Sequence, residues 1–347
     1  MKIKNLVIVI ILLPSLFIVP MAHANTISLA VSPPLLQIQA LPPASIAAPF
    51  TVANLSDSPA HLTIALKMFL PGDYGTGEVH FLSKGQEFPG RDPLILQKMQ
   101  VTDGSHKLQT LTLGPKEKKA LVLHIGLPKT EPYSDYYFSI VFLESADSTA
   151  DLSPDEIKNL NASSAQGGIA TNVLLSVGPQ GTPKGYLDAF SAPAVIESGP
   201  VPFTVRVKNA GLHYFTPHGF ILITNMFGQT VGRVDLAPDN VLAGSSRLLM
   251  AGVNEQVTIQ REDTGAASVA SQMRRVAYTT SQPTAVWPEK ILAGPYSATI
   301  TLALSDQGPI YRRTIHFLAV PIQAILGIVI AVLLLITIRS RIKQRLS

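Results

Sequence analysis

Between residues 25 and 318 the chain shows few helical periodicities, and this limits it to β architecture. Its apolar runs are short or alternate with polar residues, and Pro, Gly, Asn and Asp separate them. That is the pattern of sandwiches and barrels. In the first half the spacing predicts strands over 28–31, 35–39, 48–53, 60–69, 108–113, 119–126, 136–143 and 169–177. In the second half it predicts 187–190, 201–209, 219–225, 230–235, 246–250, 296–304 and 311–319. The break Gly-Pro-Gln-Gly-Thr-Pro-Lys-Gly over 178–185 interrupts the series and sets a domain boundary. The fold class expected is all-β: immunoglobulin-like sandwiches over 25–182 and 183–318, then one C-terminal transmembrane helix.

The connections carry their own chemistry. Asn54-Leu-Ser-Asp-Ser-Pro59 reads as a hairpin turn, because Asn, Asp and Ser side chains bond to nearby backbone. Residues 72–77 and 84–93 are polar and rich in Gly and Pro, so they read as surface loops. Within the polar stretch 144–167, Ser153-Pro154-Asp155-Glu156 has the form of a capping box and predicts a short helix at the tip of a long hairpin. Phe227-Gly228 predicts a hairpin turn. Residues 253–294 form a less regular insertion, with a short helix expected over 266–275.

The ends of the chain predict topology. Residues 319–338 are uncharged and mostly apolar, and Arg339, Arg341, Lys343 and Arg345 follow at once. About 20 apolar residues can cross a bilayer as a helix, and basic residues beyond favour a cytoplasmic end. At the start, Lys2 and Lys4 precede an apolar run over 6–19, and Ala22-His23-Ala24 matches a signal-peptidase site. The expectation is a signal peptide over 1–24, a single-pass span over 319–338, a basic tail over 339–347, and extracellular sandwiches held at a cell membrane.

Charge and cysteine then exclude several roles. The formal charge is +4, but six of the 27 basic residues lie in the two terminal segments, leaving 21 basic against 23 acidic between them. Nucleic-acid binding has no electrostatic support there. Cysteine is absent, which excludes a disulfide framework and soft-metal sites, so apolar burial must hold both domains together.

Short signatures of nucleophile elbows, phosphate loops and zinc helices are also absent, so the chain reads as non-enzymatic and without a cofactor. His213 and His218 would need a converging carboxylate to hold a metal. Asp147, Asp151, Asp155 and Glu156 lack the spacing of a calcium loop. The residues proposed for binding are Tyr74 and Tyr214, as rings on loops, and Arg274 and Arg275, as a cationic pair facing anionic headgroups or polymers.

Several motifs also carry a likeness. The first half holds Val31-Ser-Pro-Pro-Leu35, Phe50-Thr-Val-Ala-Asn-Leu-Ser-Asp-Ser-Pro59, Tyr136-Tyr-Phe138 and Gly167-Gly-Ile169. The second holds Pro202-Phe-Thr-Val-Arg-Val-Lys-Asn-Ala-Gly211, Pro217-His-Gly219, Phe227-Gly228, Asn240-Val-Leu242 and Gly294-Pro-Tyr296. With the C-terminal apolar segment, this resembles the bacterial WxL-interacting protein family and related two-domain surface proteins. The resemblance implies a peptidoglycan-associated outer domain and an inner domain that meets partner or host proteins. Partners expected are therefore the membrane, a cell-wall polymer such as peptidoglycan, or surface proteins, with no nucleic acid. The chain carries no W-x-L motif itself, since its single tryptophan, Trp287, stands in Trp-Pro-Glu. The alternative on the same architecture is a periplasmic-chaperone-like assembly factor that holds a client strand.

Overall fold

The computed structural model describes residues 28–72, 75–82, 91–144, 168–260, 267–275 and 284–346. The expected signal peptide, the capping box at 153–156 and Tyr74 lie outside them.

The first sandwich is built from β1 (Leu29–Ser32), β2 (Leu35–Ala40), β3 (Ala44–Asn54), β4 (Ala60–Pro71), β5 (Val79–Phe81), β6 (Met99–Asp103), β7 (His106–Lys107), β8 (Thr110–Leu113), β9 (Lys118–Leu127), β10 (Ser134–Glu144) and β11 (Gly168–Val177). One sheet runs β1-β3-β9-β6-β7; the other runs β2-β11-β10-β4-β5, with β8 also on β4. Alternation puts Phe50, Val52, Leu121, Leu123, Phe138, Phe142, Val173 and Leu175 between the sheets, where all are buried.

The second sandwich uses β12 (Gly185–Ser191), β13 (Val195–Ile196), β14 (Val201–Asn209), β15 (His218–Asn225), β16 (Thr230–Leu236), β17 (Ser246–Leu248), β20 (Ala285–Trp287), β21 (Gly294–Ala303) and β22 (Ile310–Ala319). Its sheets are β12-β14-β17, with β20 on β14, and β13-β22-β21-β15-β16. Phe203, Trp287, Tyr296 and Phe317 make a chain of ring contacts at its core. The remaining pair, β18 (Gly252–Gln260) and β19 (Ala267–Arg275), is a two-stranded hairpin. The helix expected over 266–275 is therefore a strand. Cross-strand pairing over nine residues a side overrides local helix propensity. Arg274 and Arg275 stand at the base of that strand, in register with Val253 and Gly252.

Both sandwiches share one device. The opening strand changes sheet: β1 pairs antiparallel with β3, and β2 then pairs parallel with the last strand, β11. Likewise β12 pairs with β14, and β13 pairs parallel with β22. A buried asparagine repeats as well. Asn54 Oδ1 accepts from Ser56 N, and its Nδ2 donates to the carbonyls of Ser58 and Gly114. Asn209 Oδ1 accepts from Gly211 N, and its Nδ2 donates to those of His213 and Val241. Each carboxamide satisfies the backbone where the chain leaves one sheet for the other. The segment 54–59 is thus a sheet-to-sheet crossover, since β3 and β4 lie in different sheets, and the hairpin expected there is corrected. Phe227-Gly228 does turn a hairpin, between β15 and β16, with Gly228 at φ 79°.

The C-terminal helix, α1, runs Ile322–Leu346. Strand β22 continues to Ala319, so helix begins only after Pro321 and reaches its first arginine at Arg339. At 1.5 Å per residue the apolar helical part spans about 25 Å, short of the ~30 Å hydrocarbon core. Among the described residues no helix is long and apolar enough to cross a membrane. The single-pass anchoring expected over 319–338, and the cell-membrane localisation drawn from it, are corrected accordingly.

Candidate functional site

The outer face of the β2-β11-β10-β4 sheet is not open to water where β10 and β11 pass. Strand β10 is buried at every position from Ser134 to Phe142, on both faces. Tyr136 and Phe138 point into the first core, whereas Tyr137, with Phe69 and Leu174, points outward into a second apolar cluster completed by Leu242 of the other domain. Leu35, Val79, Tyr214 and Ala243 pack around it. The two sandwiches therefore meet in an apolar joint with the same alternation as a core.

A buried carboxylate sits in this joint. Asp135, with no exposed surface, accepts from the Tyr137 hydroxyl at 2.8 Å and the Ser176 hydroxyl at 2.6 Å, both in the first domain. From the second domain it accepts the Tyr214 backbone N–H, and His213 Nδ1 lies 2.8 Å from it. The Tyr137 oxygen in turn accepts from Ala243 N at 2.9 Å. A buried charge is tolerable only with such partners. Burial, with the Asp135 charge adding, pushes the Tyr137 phenol far above its usual range and the Tyr214 phenol up to about 12. Arg91 lies over the Tyr137 ring at 5.3 Å, and burial pulls its guanidinium below the usual range.

A loop closes the other side of the joint. Leu248 N donates to Gly75 O at 2.9 Å, and Gly77, at φ 94°, lies so close to Arg247 that a Cβ there would come within 2.1 Å of its side chain. Arg247 in turn is 3.4 Å from the buried Asp239. The loop read as a simple surface excursion is thus an interdomain contact.

Ser176, His213 and Asp135 have the composition of a hydrolytic triad but not its geometry. Serine and aspartate both meet the same ring nitrogen, Nδ1, at 2.9 and 2.8 Å. A proton relay needs them on opposite nitrogens, so the three groups tie the domains together and do not activate a nucleophile. His218 lies 3.9 Å from Asp306, and no group of three metal-ligating side chains occurs among the described residues.

Tyr214, expected as an exposed loop ring, is half-buried in the joint, and His213 adjoins it. Asp135, Tyr137 and Ser176 were not singled out for binding by sequence reasoning. The available signal was the unbroken burial potential of Tyr136-Tyr-Phe-Ser-Ile140, which a strand with one solvated face does not need. Beside the joint lies a cleft of about 1400 Å³, lined from both domains by Gln37, Gln39, residues 179–184, residues 210–216, His218, Pro238 and residues 305–307.

A second feature lies at the edge of the first sandwich. Strand β2 covers β11 only from Asn172 to Val177. Asn172 N and Gly178 N donate across that edge to Pro34 O and Ala40 O, and alternation points the Ala170 N–H and C=O the same way. Among the described residues no strand pairs with Gly168–Thr171 on this side. Strand β1, in the opposite sheet, runs beside this end of β11, and Leu29, Val31 and Ile169 are only partly buried against the core there.

No protein-family model matches the chain, and no curated protein matches it. Among solved structures it is similar to the class 5 fimbriae chaperone CfaA, at 13% identity and a TM-score of 0.33, covering 76% of this chain and 100% of that one. It is also similar to the E. coli chaperone DraB, at 14% identity and a TM-score of 0.30, covering 72% and 96%. The Pseudomonas aeruginosa CupB2 chaperone gives 13% identity and a TM-score of 0.30, covering 71% and 100%. The resemblance to the WxL-interacting family thus stands only as far as a fold of two immunoglobulin-like β-sandwiches.

Proposed function

We propose that the chain is a non-enzymatic binding protein that holds an extended segment of a partner protein as an added strand on β11, in the manner of an assembly factor. The observation that carries this reading is the edge at Gly168–Ala170, which no strand covers among the described residues, beside the half-buried Leu29, Val31 and Ile169. An incoming strand would bond to the Ala170 backbone, and its alternate side chains would complete the apolar seam between β1 and β11. A segment of alternating apolar residues fits that chemistry.

The test is hydrogen–deuterium exchange of the protein with a synthetic peptide of alternating valine and threonine, and in a parallel arm with washed cell wall. Peptide-dependent protection over 168–172 is expected. Ala170→Pro removes the edge N–H while leaving the β10 side of the ladder intact, and should weaken peptide binding by at least about tenfold. Protection confined to other segments, or retention on wall polymer with no peptide effect, would refute the reading.

A further inference from the structure

The cleft beside the joint takes no part in strand addition, and its lining has a chemistry of its own. Gln37 and Gln39 reach it from β2, Gln180 from the interdomain connection and Gln307 from the β21–β22 turn, and all four are exposed. A carboxamide offers two donors and an acceptor, which complements a hydroxyl that both donates and accepts. The exposed fixed charges in the lining are Lys184 and Asp306, of opposite sign, while His213 is engaged with Asp135. An anionic ligand would ask for concentrated cations, and an apolar one for an apolar wall. Most of the lining comes from the turns at 179–184, 210–216 and 305–307, which lack the ladder of groups an extended peptide needs. Leu212, 71% exposed, supplies apolar contact for the C–H face of a sugar.

The cleft is also preformed. Its two walls belong to different domains, but the Asp135 bonds and the Tyr137 cluster fix them next to it, and His213 belongs to both joint and lining. A ligand there pays little for ordering the site. The volume of about 1400 Å³ exceeds the roughly 300–1,000 Å³ of ordinary small-molecule sites and suits several sugar rings. We propose that this interdomain cleft binds a neutral oligosaccharide segment, recognised by the carboxamides of Gln37, Gln39 and Gln307.

Calorimetric titration of the full chain tests this, with neutral tetrasaccharides of glucose and of N-acetylglucosamine as probes. An oligogalacturonate and the valine–threonine peptide serve as separate arms. Saturable binding of a neutral saccharide is expected, weakened at least about tenfold by joint Gln37→Ala and Gln39→Ala substitution and again by Gln307→Ala. These side chains are exposed, and unchanged Trp287 fluorescence and melting would show that the variants fold. Ala170→Pro should leave saccharide binding intact, so failure of strand addition and failure of the cleft are distinguishable. The proposal is overturned if no neutral saccharide binds, if binding ignores the glutamine substitutions, or if only the acidic saccharide or the peptide occupies the cleft.

Discussion

Asp135→Ala is the most informative perturbation of this molecule, because one carboxylate joins two domains. Its removal leaves the Tyr137 hydroxyl and the Tyr214 N–H as buried donors without their acceptor. The Ser176 hydroxyl still accepts from Gln180 Nε2 at 2.6 Å and can donate to His213 Nδ1 at 2.9 Å. Each orphaned donor costs about 1–3 kcal/mol. Relief of the carboxylate's own desolvation offsets part of this, and a net loss of about 3 kcal/mol follows, at the low end of values for breaking a buried pair. For a chain of this size that is roughly 6–12 °C in Tm. Trp287, the single tryptophan, is 5% exposed in the second core, so its fluorescence follows that domain alone, while hydrogen–deuterium exchange of the β3 and β9 amides follows the first. In the variant the two signals should separate into distinct transitions. His213→Ala leaves Asp135 three donors and should cost only about 1 kcal/mol. If Asp135→Ala costs no more than His213→Ala, or less than about 1 kcal/mol, the carboxylate is not what couples the domains.

Other outcomes follow from the same structure. Gly77→Ala places a Cβ against Arg247 at a positive φ and should lower stability by about 1–3 kcal/mol in a urea melt; an unchanged midpoint would show that the loop does not dock. The Tyr136, Tyr137 and Tyr214 phenols are all raised, first by burial. The fold therefore favours their neutral forms: that stability is intact below about pH 10 and is lost as pH rises through the folded values, that of Tyr214 being about 12. A late phase in phenolate absorbance, coincident with unfolding, should record it, and uniform titration of all nine tyrosines in folded protein would contradict it. At the acid end, the hydrogen bond from Lys98 holds the Asp92 carboxyl below its usual range. Its contribution is present at and above the usual carboxylate range and lost as pH falls through the depressed value, so Tm should fall as pH drops below about 4. Lys98→Met should flatten this slope, and an unchanged slope would remove Asp92 from the account.

Local patterns made the strands legible. Alternation at Phe50-Thr-Val52 and Phe203-Thr-Val205 places one residue set inward, and both sets are buried as that period requires. The turn at Phe227-Gly228 was equally plain, because a tight hairpin needs a residue free to take positive φ. The asparagines of 54–59 and 209–211 were recognisable as turn chemistry, but which sheet the next strand joins depends on pairing partners far along the chain. The same holds for residues 267–275, whose composition suits a helix until a paired strand lies beside them, and for the end of β22, which sets where the terminal helix begins.

Asp135 and Tyr137 show where the sequence falls silent. Their positions on β10 follow from alternation, and alternation alone would send Tyr137 to solvent. Only the packing of the second sandwich on that face turns an outward tyrosine into a buried one and an adjacent aspartate into the acceptor for two domains. Strand period is a property of neighbouring residues and is written in order along the chain. The joint and the cleft are properties of surfaces brought together from residues 35–39, 135–137, 176–184, 210–218 and 242–248, and no local spacing encodes their meeting.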